Sequence, residues 1–172
     1  MKLLILSSNN GGGHNAVAVA ISEYYKSHGH EVDIRDGLSF LSRRVSSAIA
    51  SLHVFLYRNI PEAGGDAFGL FKNKDQKLAE NTMGRRIVDL GSHSLAAFIT
   101  DNHYDCVICT HVFPAAILTT AVKNYHLSVR TGFVETDYCN NPGYAGMDVD
   151  VHFLSDESLI PETTSFSPGI PA

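Results

Sequence analysis

Three glycines followed by a histidine form the part of this chain best suited to chemistry. Gly11, Gly12, Gly13 and His14 stand between the apolar run Leu3–Leu6 and a helical pattern. A strand, a turn and a helix in that order place backbone N–H groups and an imidazole at the carboxyl edge of a sheet, where open α/β folds bind ligands. Histidine suits a general base near neutral pH. His14 is therefore the candidate base, and a capping or packing role is the alternative.

The glycine turn also fits a dinucleotide fingerprint. Residues 11–16 read G-x-G-x-x-A, and Asp33 or Asp36 follows at about 20 residues, where an acidic side chain would bind a ribose. A long polar approach and the bulk of His14 weaken this interpretation. No Gly-Lys-Ser/Thr follows, which excludes a P-loop. An NAD(P)-binding domain of an oxidoreductase and a non-catalytic binding module stay open as alternatives.

Bulk composition limits the classes of partner. The chain has 172 residues, enough for one domain with a buried core, and its net charge of −5 argues against nucleic acid as a partner. Its apolar runs are too short to span a membrane.

Cys106 and Cys109 match C-x-x-C, but residues three apart in a strand face opposite sides of the sheet. They are therefore predicted as core residues rather than as a redox pair or zinc ligands.

Hydrophobic periodicity predicts an α/β fold, with a Rossmann-like parallel sheet flanked by helices. The predicted strands are Lys2–Ser7, Glu31–Asp36, Asp105–Thr110, Val129–Glu135 and Val149–Leu154. The predicted helices are His14–His28, Phe40–Ile60, Gln76–Asn102 and Pro114–His126. Helical spacing predicts which side chains of two of these helices face the core. They are Val17, Ala20, Ile21 and Tyr24 in the first helix, and Ile87, Leu90, Leu95, Phe98 and Ile99 in the third.

Four short segments carry a family resemblance. Residues 11–16 (G-G-G-H-N-A) resemble the signature of the monogalactosyldiacylglycerol synthase and diacylglycerol glucosyltransferase group. That group belongs to glycosyltransferase family 28 and has two Rossmann-like domains in the GT-B arrangement. Residues 109–115 (C-T-H-V-F-P-A) resemble its T-H-x-F-P-A segment, residues 136–138 its T-D-[YF] segment, and residues 169–171 its G-I-P segment.

The resemblance implies a role for the chain as a whole. Residues 1–168 are expected to form the N-terminal, acceptor-binding half of a hexosyltransferase, and residues 169–172 to begin the linker to a donor-binding domain that lies outside this chain. Such an enzyme transfers a hexose from a UDP-sugar, its co-substrate, to the free hydroxyl of diacylglycerol with inversion. Neither a cofactor nor a metal is expected, and the chain alone is expected to be inactive.

The same resemblance assigns residues to the site. His14 is the expected base, and Asp137 either orients His14 or acts as the base itself, with a turn or helix cap as the structural alternative. Asn141 and Tyr144 stand where the family usually has a His and then a Trp, which puts acceptor choice or activity in question. The expected acceptor-binding and loop residues are Gly11, Gly12, Gly13, Asn15, His111, Phe113, Pro114, Thr136 and Tyr138.

A lipid acceptor requires contact with a membrane. The helix predicted over Phe40–Ile60 is amphipathic and, together with the loop Glu62–Leu70, could lie at an anionic surface. A core helix with a solvated polar face is the alternative. The expected location is the cytoplasm, peripheral to the inner face of the plasma membrane. The predicted membrane-contact residues are Phe40, Arg43, Arg44, Phe55, Tyr57, Arg58 and Phe68.

Overall fold

A parallel sheet forms the centre of the chain. The computed structural model describes residues 1–8, 12–48, 51, 83–136 and 147–166. Within these ranges the strands are β1 (Lys2–Ser7), β2 (Glu31–Asp36), β3 (Cys106–Cys109), β4 (Arg130–Val134) and β5 (Val151–Phe153). Their order is β2-β1-β3-β4-β5, and every neighbouring pair is parallel. The predicted α/β fold with a Rossmann-like parallel sheet is therefore confirmed.

Helices connect the strands and cover the sheet. They are α1 (Gly12–Ser27), α2 (Met83–Asp101), α3 (Val112–Tyr125) and α4 (Ile160–Phe166), with 3-10 turns at Gly37–Phe40 and Glu157–Leu159. Strands β1 and β2 have the predicted bounds, whereas the other strands are shorter at both ends than predicted. The differences are of one or two residues at each end, which is the usual uncertainty of strand boundaries, and single backbone hydrogen bonds continue past several of these ends.

Side chains of β1 alternate between two apolar layers. Leu4 and Leu6 pack in the larger cluster, which includes residues of α2 and α3. Leu3 and Ile5 pack on the other face with Ala18 of α1. All of these side chains are fully buried, as expected for a parallel strand covered on both faces. Burial of each leucine or isoleucine contributes about 1.5–3 kcal/mol to stability.

The buried face of α1 differs from the predicted one. The predicted inward stripe included Tyr24, which is 61% exposed and contacts the ring of His28 instead. The buried residues of α1 are Ala18 and Ser22, and Tyr25 packs beside them. The stripe is therefore rotated by one residue from the predicted Val17, Ala20, Ile21 and Tyr24, with Ile21 common to both.

Helices α2 and α3 approach each other closely at a glycine. A Cβ on Gly91 would lie 3.0 Å from Cδ1 of Ile117 and 3.0 Å from Cδ2 of Leu41. Leu90, which was predicted to face the core, is 66% exposed. The helix therefore turns Gly91 rather than its larger neighbour toward α3, and a side chain at that position would require Ile117 and Leu41 to shift.

Polar contacts fasten the rim of the sheet where β1 and β3 begin. The backbone N–H of Lys2 donates to Oδ2 of Asp105 (2.6 Å), and Nζ of Lys2 lies 5.0 Å from the ring centroid of Tyr104. The hydroxyl of Tyr104 donates to Oδ2 of Asp33 in β2 (2.6 Å). The pKa of Tyr104 is raised mainly by burial of the side chain and, to a smaller extent, by this hydrogen bond to Asp33. These contacts join three strands at the amino rim.

The helix predicted to begin at Phe40 begins later. Phe40 ends a 3-10 turn, and the described helical residues that follow are 43–48 and 51. The hydroxyl of Ser42 accepts from the N–H of Val45 (3.4 Å), a capping arrangement that starts the helix after Ser42. Residues 49–50 and 52–60 of the predicted helix lie outside the described residues, as does the predicted loop Glu62–Leu70.

Candidate functional site

The site lies where the strand order reverses. β2 lies on one side of β1 and β3 lies on the other, so the connections that leave β1 and β3 diverge. Such a reversal opens a crevice at the carboxyl ends of the two strands, which is where doubly wound sheets bind ligands. His14 enters this region from the first turn of α1, and His111 directly precedes α3. The two predicted histidines are therefore brought together at the β1/β3 crevice.

Position on α1 directs His14 toward the sheet. His14 stands four residues before the fully buried Ala18, so it shares the sheet-facing side of the helix. At the end of β1 the hydroxyl of Ser7 donates to Oδ1 of Asn15 (2.6 Å), which ties the first turn of α1 to the strand. The structure thus gives Asn15, a predicted loop residue, a role in holding the helix start.

The Nδ1 atom of His14 contacts two oxygens. It lies 2.9 Å from the carbonyl oxygen of Thr110 and 2.5 Å from Oγ1 of Thr136. A carbonyl oxygen can only accept, so the shared proton belongs to Nδ1. In the neutral ring Nε2 then carries the lone pair and is the atom able to take a proton. The ring itself is half-buried.

His111 has the opposite arrangement of protons. Its Nδ1 accepts a hydrogen bond from the backbone N–H of Phe113 (3.1 Å), which makes His111 the N-cap of α3. Because that N–H can only donate, Nδ1 of His111 is unprotonated and Nε2 carries the proton. The rings of His14 and His111 meet edge to face, with centroids 4.6 Å apart and planes at 83°. One imidazole presents a proton acceptor and the other a proton donor.

Gly12 and Gly13 leave open space over the start of α1. Both are exposed, and a Cβ built on either would meet no atom within 4 Å. Neither has a positive φ that would favour glycine. Packing among the described residues therefore gives no reason for these two glycines, and contact with a ligand stays a prediction.

Phe113 and Pro114 pack in the protein core. Phe113 is 8% exposed and belongs to the larger apolar cluster, and Pro114 is fully buried in the first turn of α3, where proline is tolerated. A Cβ on Gly37 would lie 2.3 Å from Cγ of Pro114, so the turn after β2 fits against α3 only with glycine there. The structure gives both residues a packing role, and acceptor contact by either stays a prediction.

Several predicted site residues fall outside the described part of the chain. These are Gly11, Asp137 and Tyr138, together with Asn141 and Tyr144. Orientation of His14 by Asp137 therefore stays a prediction. The contacts described for Nδ1 of His14 come instead from Thr110 and Thr136.

Sequence reasoning missed two participants beside the site. Thr110 acts through its main-chain carbonyl, which no sequence pattern reveals. Glu135 is 6% exposed, and its Oε1 accepts from the N–H of Thr136 (3.1 Å). An acidic residue at the end of an apolar strand was the available signal for Glu135, since carboxyl groups are seldom buried without polar partners.

The cysteine pair faces both apolar layers, as predicted. Cys109 is fully buried in the larger cluster, whereas Cys106 packs against the cluster on the α1 side. Burial raises the pKa of Cys106 to about 11 and also raises the pKa of Cys109. Both thiols are therefore protonated near neutral pH and are poor nucleophiles. Across the described ranges no three His, Cys, Asp or Glu residues group as metal ligands.

Asp33 and Asp36, the candidate ribose-binding residues of a dinucleotide site, both accept hydrogen bonds from other groups of the protein. Asp36 ends β2, and its Oδ1 accepts from the N–H of Leu38 (2.9 Å), which caps the following 3-10 turn. Asp33 accepts from Tyr104. Asp36 has the position expected for a ribose-binding acid, but its carboxylate is already engaged in capping.

Only some of the predicted membrane-contact residues lie in the described part of the chain. Arg43 and Arg44 are exposed at the start of the helical segment 43–48. Phe40 precedes the helical segment 43–48, so the prediction that it lies on that helix is wrong. It is half-buried, 5.3 Å from the ring of Phe98, and its contact with a membrane stays a prediction. The other predicted contacts lie outside the described residues: Phe55, Tyr57, Arg58 and Phe68. No helix within the described residues is long and apolar enough to cross a membrane.

Most of the chain matches the model of a known protein family. The model of the family described as Monogalactosyldiacylglycerol (MGDG) synthase matches residues 14–170. This chain belongs to the MGDG synthase family. The resemblance predicted from the motif segments is thereby confirmed, and the match begins at His14.

Two curated relatives of this MGDG synthase family chain carry the name processive diacylglycerol beta-glucosyltransferase. The protein from Bacillus mycoides (strain KBAB4) is 25% identical over 158 residues, which cover 92% of this chain and 39% of the relative. The protein from Bacillus cytotoxicus is 25% identical over 171 residues, which cover 99% of this chain and 42% of the relative. The chain therefore spans about two fifths of the length of these relatives. No solved structure gave a significant match.

Proposed function

We propose that this MGDG synthase family domain binds diacylglycerol and supplies the base for transfer of a hexose from a UDP-sugar. Family membership and the names of the two relatives support the reaction class. The observation that carries the residue assignment is the 2.9 Å contact between Nδ1 of His14 and the carbonyl of Thr110. It leaves Nε2 of His14 as a proton acceptor at the crevice where such folds bind ligands.

His14 takes up a proton in the proposed step. The hydroxyl oxygen of diacylglycerol attacks the anomeric carbon of the UDP-sugar and forms the new glycosidic bond. The bond from that carbon to the diphosphate breaks with its electron pair, UDP departs, and the configuration inverts. Nε2 of His14 accepts the hydroxyl proton. The resulting imidazolium keeps its Nδ1 proton against the oxygens of Thr110 and Thr136, which stabilise the positive charge.

We further propose that the UDP-sugar is bound by a second domain rather than by this one. The curated relatives are more than twice as long as the matched segment. Closure of a donor-binding half over the crevice would bring the anomeric carbon to the acceptor hydroxyl and exclude water. The chain by itself is therefore expected to give no hexose transfer.

Diacylglycerol resides in a bilayer, so the domain must dock on one. Arg43 and Arg44 are adjacent and exposed, and attract anionic lipid headgroups. A peripheral position on the inner face of the plasma membrane would give the crevice access to the lipid and to cytoplasmic UDP-sugars.

Replacement of His14 in the full-length protein tests this proposal. We expect His14→Ala to lower hexose transfer from UDP-sugar to diacylglycerol by about 10²–10⁴-fold, the usual contribution of a general base. His28→Ala is the matched control, since His28 is exposed at the other end of α1. Near-normal turnover in His14→Ala would remove His14 from the mechanism. A rise in melting temperature with NAD(H), but none with diacylglycerol micelles, would favour the oxidoreductase alternative.

A further inference from the structure

A buried carboxyl group lies one residue from the proposed base-positioning contact. Glu135 follows β4, is 6% exposed, and its backbone N–H donates to the carbonyl of Phe153 in β5 (2.8 Å). That bond extends the ladder by one residue and fixes the main chain of Glu135 beside the crevice. Burial of an ionisable side chain is unfavourable unless polar groups compensate it. One such group is the N–H of Thr136, which donates to Oε1 of Glu135 (3.1 Å).

Thr136 links this carboxyl group to His14. Its backbone N–H is held by Glu135, and its hydroxyl oxygen lies 2.5 Å from Nδ1 of His14. The carbonyl of Thr110, which is fully buried after β3, meets the same nitrogen at 2.9 Å. The residues that follow β3 and β4 therefore each place an oxygen atom next to Nδ1 of His14.

We propose that Glu135 and Thr136 are positioning residues that hold the ring of His14 in place, while the Thr110 carbonyl fixes its Nδ1–H tautomer. The Thr110 carbonyl can only accept, so it disfavours the alternative tautomer, in which its lone pair would face that of Nδ1. The Thr136 hydroxyl then accepts from the same Nδ1–H and fixes the orientation of the ring. The carboxyl of Glu135 acts only through Thr136, whose hydroxyl it keeps in place. The tautomer is a property of this chain, whereas its catalytic consequence rests on the proposed function.

Two substitutions at Thr136 separate positioning from packing. Thr136→Val keeps the branched shape and removes the hydroxyl, and Thr136→Ser keeps the hydroxyl and removes a methyl group. We expect Thr136→Val to lower kcat about tenfold with little change in KM, because one hydrogen bond to the base is lost. Thr136→Ser should restore most of that turnover. A role in packing alone would give the reverse order.

Two substitutions at Glu135 test the link through the main chain. Glu135→Gln keeps an oxygen that accepts from Thr136, whereas Glu135→Ala removes it. We expect the alanine variant to match Thr136→Val in kcat and the glutamine variant to stay near the parent. Should the alanine variant fail to fold by circular dichroism, the Thr136 pair decides the proposal.

The tautomer is read directly by ¹⁵N NMR of the imidazoles in the full-length protein, with His14 assigned by loss of its signals in His14→Gln. We expect a protonated Nδ1 and an unprotonated Nε2 in the parent, and the same tautomer with a shifted Nδ1 signal in Thr136→Val. A protonated Nε2 in the parent, or an unchanged Nδ1 signal and kcat in Thr136→Val, would overturn the proposal. The expected tautomer in a protein that transfers no hexose would instead refute the proposed function alone.

Discussion

The imidazole of His14 meets that of His111 edge to face, with ring centroids 4.6 Å apart. The two rings hold their protons on different nitrogens, because Nδ1 of His14 contacts the Thr110 carbonyl and Nδ1 of His111 accepts from Phe113. The two neighbouring rings therefore differ in chemistry: the outer nitrogen of His14 can accept a proton, whereas the outer nitrogen of His111 can donate one.

His111 has a second task as the N-cap of α3, and the two tasks can be separated. We expect His111→Ala to lower the free energy of unfolding by about 1 kcal/mol, since the first turn loses its capping acceptor. His111→Asn should restore the cap and the stability but not the ring beside His14. Urea unfolding and the transfer assay on both variants check this. Equal stability of the two variants would show that the cap contributes nothing.

Gly37 and Gly13 form a matched pair for a stability test. We expect Gly37→Ala to destabilise the fold by about 1–3 kcal/mol, because its Cβ would lie 2.3 Å from Cγ of Pro114. Gly13→Ala should be neutral or stabilising by up to about 1 kcal/mol, since the site is helical with no atom within 4 Å. Thermal unfolding of both variants provides the comparison. A neutral Gly37→Ala would contradict the close fit between the β2 turn and α3.

Burial of His152 makes the fold sensitive to acid. His152 is 2% exposed in β5, and burial lowers its pKa from 6.5 to about 4. The unfolded chain therefore binds a proton below about pH 6.5 that the folded chain resists down to about pH 4. Stability from this residue is complete above pH 6.5 and falls as the pH drops through that window, by roughly 3 kcal/mol in total.

Urea unfolding at pH 7 and pH 4.5 measures this loss. We expect His152→Gln to be less stable than the parent at pH 7 but to lose less stability between the two pH values. His126→Gln is the control, since His126 is exposed at the end of α3. An equal loss in the parent and in His152→Gln would assign the acid sensitivity to other groups.

Reversing the charges of Arg43 and Arg44 tests whether the start of the 43–48 helical segment docks on a membrane. We expect Arg43→Glu with Arg44→Glu to weaken partitioning onto anionic vesicles by at least roughly thirtyfold, since each basic residue contributes about 1 kcal/mol. Arg85→Glu with Arg86→Glu is the matched control, because this exposed arginine pair lies on α2. Vesicle sedimentation at low salt gives both values. Equal losses for the two pairs would indicate a nonspecific charge effect.

The fold was largely predictable because parallel strands buried on both faces leave continuous apolar runs, as at Leu3–Leu6. The rotation of α1 was not, because the residue buried at position 22 is a serine, which carries no hydrophobic signal. The placement of His14 and His111 at one edge of the sheet was predictable, because each stands in a segment that follows a predicted strand. The carbonyl of Thr110 was missed because every residue has one, and only the folded chain decides which carbonyl meets a histidine.

The contacts at the amino rim among Lys2, Tyr104 and Asp105 stand at the opposite end of the strands from His14. Anchorage and the proposed site therefore occupy opposite ends of the same strands. Substitutions at the amino rim are expected to change the stability of the domain, and substitutions in the loops at the other end to change its proposed ligand contacts. Stability and binding could accordingly be varied in this domain nearly independently of each other.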